Sequence, residues 1–146
     1  MSNTIVKNRK AYYEFQILEK NIAGIELLGS EVKSIRAGKA NISEAYCFIN
    51  NGEIFIKNMH ISEYDHGGKA NNHEPLRDRK LLLKKKEILD LGEKVKLKGL
   101  TIVPLELILT KTGLIKIEIG LAKGKKTFDK SQSIKLRDLD RDLKNS

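Results

Sequence analysis

Ile102-Val-Pro-Leu-Glu-Leu-Ile-Leu-Thr110 and Leu114-Ile-Lys-Ile-Glu-Ile-Gly-Leu-Ala122 decide the fold. In the second stretch Ile115, Ile117, Ile119 and Leu121 alternate with Lys116, Glu118 and Gly120. A period of two puts the apolar set on one face, the mark of a half-buried strand with a polar outer side. Lys111-Thr112-Gly113 joins the two stretches as a turn. Pro104 cannot donate to a ladder, so its strand is expected to carry it at an edge or a bulge. Upstream, Ala45–Asn50 and Glu53–Lys57 flank Asn51-Gly52, the dipeptide that suits both positive-φ positions of a type I′ hairpin.

Working outward, Ile88, Leu91 and Val95 recur at spacings of three and four, which predicts a helix over about 85–98 that stops at Gly99. Gly92 inside it costs about 1 kcal/mol relative to Ala. A shorter helix is expected over Glu31–Ala37, with Ser30 as N-cap and Gly38 at its exit. Tyr13, Phe15 and Ile17 alternate within Tyr12–Leu18 and predict a strand, followed by a second short one over Ile25–Leu28. Residues 1–10 are expected to be a flexible arm, and Ser62–Pro75 a long polar loop. Together these elements predict a mainly β chain: a small OB-like β-barrel of about six strands with short peripheral helices. It should span residues 1–122. Residues 123–146 carry eight basic and four acidic side chains and few apolar ones. That composition cannot build a core, and it predicts a basic tail disordered when free.

The chain has 146 residues, 28 Lys and Arg against 19 Asp and Glu, and a formal net charge of +9. Such a balance favours a polyanionic partner, with nucleic acid ahead of an anionic membrane. No apolar run approaches the ~18 residues of a membrane span, and Met1–Lys10 lacks the apolar region of a secretory signal. Cys47 is the only cysteine, so no internal disulfide can form, which fits a reducing cytoplasm. Catalytic signatures are missing. Gly120 to Gly124-Lys125 is one residue short of a phosphate-binding loop. His60, His66 and His73 match no common zinc spacing, and no nucleophile elbow occurs. The expectation is therefore no enzyme and no cofactor.

Basic residues cluster instead. Arg77, Arg79 and Lys80 precede a trileucine that Lys84-Lys85-Lys86 follows. Lys123, Lys125 and Lys126 gather where the barrel ends, and Lys33, Arg36 and Lys39 lie on or just after the short helix. With four Tyr, four Phe and no Trp, stacking along a single strand is poorly supported. Recognition of a folded RNA by shape and phosphate contacts suits this composition better.

Gly29-Ser-Glu-Val-Lys-Ser-Ile-Arg-Ala-Gly-Lys-Ala-Asn-Ile42 resembles the hallmark segment of the SsrA-binding protein family, SmpB. Asn8-Arg-Lys-Ala11, Asn58-Met-His-Ile-Ser62, Arg77-Asp-Arg-Lys-Leu-Leu-Leu83, Leu100-Thr-Ile-Val-Pro-Leu105 and Gly120-Leu-Ala-Lys-Gly-Lys-Lys126 resemble its other signatures, in order. The resemblance implies an OB-like barrel that binds the tRNA-like domain of tmRNA and delivers it to stalled ribosomes for trans-translation. It implies action together with elongation factor Tu and charged tmRNA. It also implies a tail that enters the decoding centre and mRNA channel of the small subunit. Carried over by position, Asn8, Leu82 and Lys116 fall among residues for tmRNA binding. Arg9 and Lys10 belong to the first signature, and Lys33, Arg36, Lys39 and Asn41 to the hallmark segment. Phe128, Asp129, Lys130, Lys135, Arg137 and Arg141 fall in the ribosome-facing tail. This chain has Ile22 where the family often has Glu before Ala-Gly, Phe128 for a usual Tyr or His, Ser131 for a common Arg, and Leu136 within a usual Lys-Glu-Arg run. The alternative reading is a general OB-type ribosomal or single-stranded RNA-binding module.

Overall fold

The computed structural model describes residues 3–64 and 72–125, which form nine strands and three helices. The predicted hairpin is β8 (Thr101–Leu109) and β9 (Ile115–Gly124), paired antiparallel from Thr101↔Ala122 to Leu109↔Ile115. Its register shifts between Pro104 and Glu106, so the proline sits at a bulge as its missing N–H requires. β2 (Phe15–Ile25) pairs along the other side of β9. β4 (Tyr46–Asn50) and β5 (Glu53–Lys57) form the tight hairpin, with Asn51 at φ 53 and Gly52 at φ 77 as a type I′ turn demands. β7 (Arg79–Leu82) joins β5 to β2, and β4 meets β8 at Cys47↔Ile102. The order β8-β4-β5-β7-β2-β9, with β8 bonded back to β9, is a closed ring of six strands consistent with an OB-like fold. Two further two-residue strands, β3 (Ala40–Asn41) and β6 (His60–Ile61), pair outside it.

Ile115, Ile117, Ile119 and Leu121 all point into the ring, against Ile54, Ile56, Leu81, Ile102 and Leu107. Each such buried aliphatic side chain contributes about 1.5–3 kcal/mol. Cys47 is buried among them, and desolvation raises its thiol pKa far above the ordinary value, so it is an inert core group. α2 (Gly29–Arg36) and α3 (Lys85–Lys98) pack Ile35, Ile88 and Leu91 onto the same core. α3 begins where the Glu87 carboxylate accepts the Lys84 N–H at 3.0 Å, and it ends on Gly99 in the left-handed region. α2 starts two residues earlier than its sequence suggests. Its N-cap is Leu28, whose N–H donates to Glu31 at 2.8 Å, and Ser30 lies inside the first turn with its hydroxyl against His73 Nδ1.

The N-terminal expectation is corrected. Residues 3–7 form β1 (Asn3–Lys7), paired with β8, and the chain then turns into α1 (Arg9–Glu14). Tyr12, Tyr13 and Glu14 are thus helical, and the strand begins only at Phe15. The cause is Asn8. Its Oδ1 accepts the Ala11 N–H at 3.1 Å, while its Nδ2 donates to the carbonyls of Pro104 at 2.8 Å and Ile42 at 3.2 Å. Ala11 then buries against Val103, Leu105 and Ala122, a second small core on the outer face of the ring. Gly120 lets Leu105 and Ile17 close over this face of β9, because a Cβ there would lie 2.9 Å from Leu105 Cδ1 and 3.0 Å from Ile17 Cγ2.

Candidate nucleic-acid interface

Three strands bring Lys116 and Leu82 together. Lys116 on β9 faces Gly24 on β2, and Gly24 faces Leu82 on β7. Cross-strand partners share a face, so the three form one row across the outside of the sheet. Gly24 leaves the middle of that row open; a Cβ there would approach Leu82 Cβ to 3.2 Å. The result is an open cleft of about 580 Å³. Ile22, 56% exposed, and Leu82, 47% exposed, form its apolar shelf. Lys80, Lys84, Lys85 and Lys116 rim it, against only Glu53 and Glu87. Glu87 is turned onto the start of α3, and Glu53 accepts from Lys80 at 2.7 Å. An apolar floor within a ring of lysines suits a nucleobase or sugar face bounded by phosphates. Glu53 carries no sequence signal that would single it out, since only the β5–β7 register brings it to this rim.

The strand period divides the Arg77–Leu82 set. Lys80 and Leu82 face the cleft, whereas Arg79 and Leu81 face inward, and Arg79 has no exposure. Its guanidinium donates to Glu31 at 2.7 Å, to Met59 O at 2.7 Å, and to the carbonyls of Arg77, Glu74 and Pro75. Every direction in which it could meet a phosphate is taken, so Arg79 leaves the RNA-contacting set. Arg77, partly exposed, also holds Glu31, at 2.7 and 2.9 Å. Burial opposes the Glu31 charge, but the bonds from Arg77, the Leu28 N–H and Arg79 prevail and hold its carboxyl below the usual range. Burial lowers the Arg79 pKa and the Glu31 bond opposes that shift. Asn8 is likewise buried with its side chain bonded on both ends, so its place in the fold is structural rather than an RNA contact.

The remaining expected residues lie on the surface. Lys33, Arg36 and Lys39 are exposed on α2 and the turn after it. The Lys33 ammonium stands 5.3 Å from the Tyr64 ring. Arg36 reaches the β8–β9 turn, its Nη2 being 3.5 Å from where a Gly113 Cβ would sit. It therefore marks the same end of the hairpin as Lys116. Asn41 is exposed, with its Oδ1 accepting from the Ser43 N–H and hydroxyl. Arg9 and Lys10 are exposed on α1, and Lys10 pairs with Glu44. Lys123 is exposed; Lys125 donates its N–H to Glu14 O at 3.0 Å and its ammonium to Tyr12 O at 3.2 Å, which fixes where the chain leaves the ring. Lys126, Phe128, Asp129, Lys130, Lys135, Arg137 and Arg141 lie outside the described residues, as does His66. Among the described residues no three His, Cys, Asp or Glu side chains gather as metal ligands. His73 has both ring nitrogens engaged, at 2.8 Å each, with Ser30 Oγ and Ile61 O. No helix among the described residues is long and apolar enough to cross a membrane.

Known proteins resemble this chain over nearly its whole length. A family model described as SmpB protein matches residues 5–146. The SsrA-binding protein of Chlorobaculum tepidum is 51% identical over 96% of this chain and 88% of its own length. That of Cytophaga hutchinsonii is 52% identical over 98% and 93%. A solved structure described as "tmRNA-SmpB: a journey to the center of the bacterial ribosome" contains a chain 43% identical to this one, with a TM-score of 0.71, covering 88% of this chain and 89% of that one. With a six-stranded ring, a lysine-rimmed cleft and matches over nearly its full length, this chain belongs to the SmpB protein family.

Proposed function

We propose that this protein binds the tRNA-like domain of tmRNA and delivers it to stalled ribosomes, where trans-translation tags the incomplete product. The observation that supports this most directly is the Lys116–Gly24–Leu82 row and its rim of lysines, on a chain whose relatives are named for binding SsrA RNA. The chain acts as an RNA-binding factor, not an enzyme. The cleft holds the tRNA-like fold through phosphate contacts from Lys80, Lys84, Lys85 and Lys116, with Leu82 and Ile22 under an apolar surface of the RNA. Lys33, Arg36, Lys39 and Asn41 add a second contact area at the Arg36 end of the hairpin. The segment from Lys123 onward, with Phe128, Asp129, Lys130, Lys135, Arg137 and Arg141, serves the small-subunit decoding centre and mRNA channel. Elongation factor Tu carries the charged tmRNA with it, and the work is cytoplasmic.

Competition binding tests the reading. At equal salt, the tRNA-like domain should displace a bound reporter RNA at far lower concentration than unrelated single-stranded RNA of the same length. Equal potency would reduce the protein to a general RNA-binding module.

A further inference from the structure

The rim lysines are not equivalent. Lys80 Nζ donates to Glu53 Oε2 at 2.7 Å, and that bond, with the added attraction of the Glu53 charge, raises the ammonium's pKa. Among the described residues, Lys84, Lys85 and Lys116 form no ion pair. The pair bridges two elements. Glu53 opens β5 directly after the Asn51-Gly52 turn, and Lys80 is the β7 residue opposite Phe55. Both side chains remain partly open to solvent, Lys80 at 34% and Glu53 at 50%. Such a pair is weak enough for a phosphate to displace, yet it cancels the lysine's charge until that happens.

We infer that Glu53 is a specificity-determining residue of the RNA cleft: it withholds Lys80 from loosely seated RNA and yields it only to an RNA whose shape sets a phosphate at that rim. The inference rests on the cleft being the RNA site. A flexible single strand meets the free charges of Lys84, Lys85 and Lys116 and can settle anywhere among them. It has no fixed geometry that forces a phosphate between Lys80 and Glu53. A folded RNA held by its contour presents one phosphate at a defined place, and there it takes the ammonium over. Lys80 then counts as a phosphate contact for the folded RNA and not for the strand.

Salt dependence reads this directly, because each neutralised phosphate on single-stranded RNA adds about 0.7 to the slope of log affinity against log salt. The experiment uses full-length protein with two probes, a transcript of the tRNA-like domain of tmRNA and polyuridylate. In Glu53→Gln the slope for polyuridylate should rise by about 0.7, which corresponds to about five-fold tighter binding at 0.1 M relative to 1 M salt. The slope for the tRNA-like domain should stay unchanged, so the preference for it falls. Lys80→Met alone should lower only the slope for the tRNA-like domain. The double variant should return polyuridylate to the wild-type slope. If Glu53→Gln steepens both slopes alike, or neither, the inference is overturned while a wild-type preference for the tRNA-like domain leaves the cleft reading standing. Equal wild-type affinities for the two probes would instead overturn the cleft reading, and the inference with it.

Discussion

Replacing Glu31 by Ala should remove a large part of the protein's stability. Glu31 and Arg79 are both fully buried, and among the described residues Glu31 is the one carboxylate that Arg77 and Arg79 share. Truncating it leaves the Arg79 guanidinium in the interior with carbonyl acceptors but no counter-charge. It also removes the acceptor of the Leu28 N–H at the start of α2. Breaking a buried pair from one side costs about 3–5 kcal/mol, at least about a fifth of the roughly 5–15 kcal/mol that a folded domain possesses. In urea, with a slope of about 2 kcal/mol/M, the midpoint should fall by roughly 1.5–2.5 M. The double variant Glu31→Leu, Arg79→Met should lose less than Glu31→Ala, because no stranded charge remains. The pH dependence has a defined sign. Glu31's carboxyl is lowered in the folded state, so the stability it brings is present above its unfolded pKa and is lost as pH falls through the folded value. Wild-type stability should therefore drop on acidification below the ordinary carboxylate range, and the double variant should drop less. A Glu31→Ala midpoint within about 0.3 M of wild type, or under 1 kcal/mol, would refute the assignment of this pair as the clamp between α2 and β7.

Other positions give sharper contrasts. Gly120→Ala should destabilise by about 1–3 kcal/mol through overpacking against Leu105 and Ile17, read as a lowered Tm. Gly92→Ala should raise it, since a Cβ there meets only Ile49 Cδ1 at 3.5 Å and the helix gains about 0.5–1 kcal/mol. Asn8→Ala should cost about 1–2 kcal/mol from the lost cap and open the Pro104 and Ile42 carbonyls, with protection of the α1 amides falling first in hydrogen exchange. Changing Lys84, Lys85 and Lys116 together to Gln should flatten the salt slope for the tRNA-like domain by about 2 while leaving the urea midpoint nearly unchanged.

The parts of this fold that the sequence announces are those written in neighbouring residues. Asn51-Gly52 specifies its turn by φ alone, residues 115–121 specify their faces by alternation, and residues 85–98 carry both a helical period and a Gly99 stop. α1 escapes because six residues are under two turns, too few to separate a helical period from a chance alternation of Tyr13, Phe15 and Ile17. Its signal is Asn8, whose capping role depends on carbonyls of Ile42 and Pro104 that are distant in the chain.

The site shows the same boundary between local and distant information. Once residues 79–82 form a strand, Arg79, Lys80 and Leu82 cannot all face RNA, because alternate residues point to opposite sides. Period two leaves two choices: Arg79 with Leu81 inward, or Lys80 with Leu82 inward. Nothing within the strand decides between them, since each choice buries one leucine and one cation. The decision lies in Glu31, 48 residues away, which supplies a buried carboxylate on the side that Arg79 can reach. Only an arginine, with its fork of donors, can satisfy that carboxylate and four carbonyls at once. Lysine in the same place would leave acceptors unfilled. The inward arginine thereby forces Lys80 and Leu82 outward, and the buried clamp sets which residues line the RNA cleft.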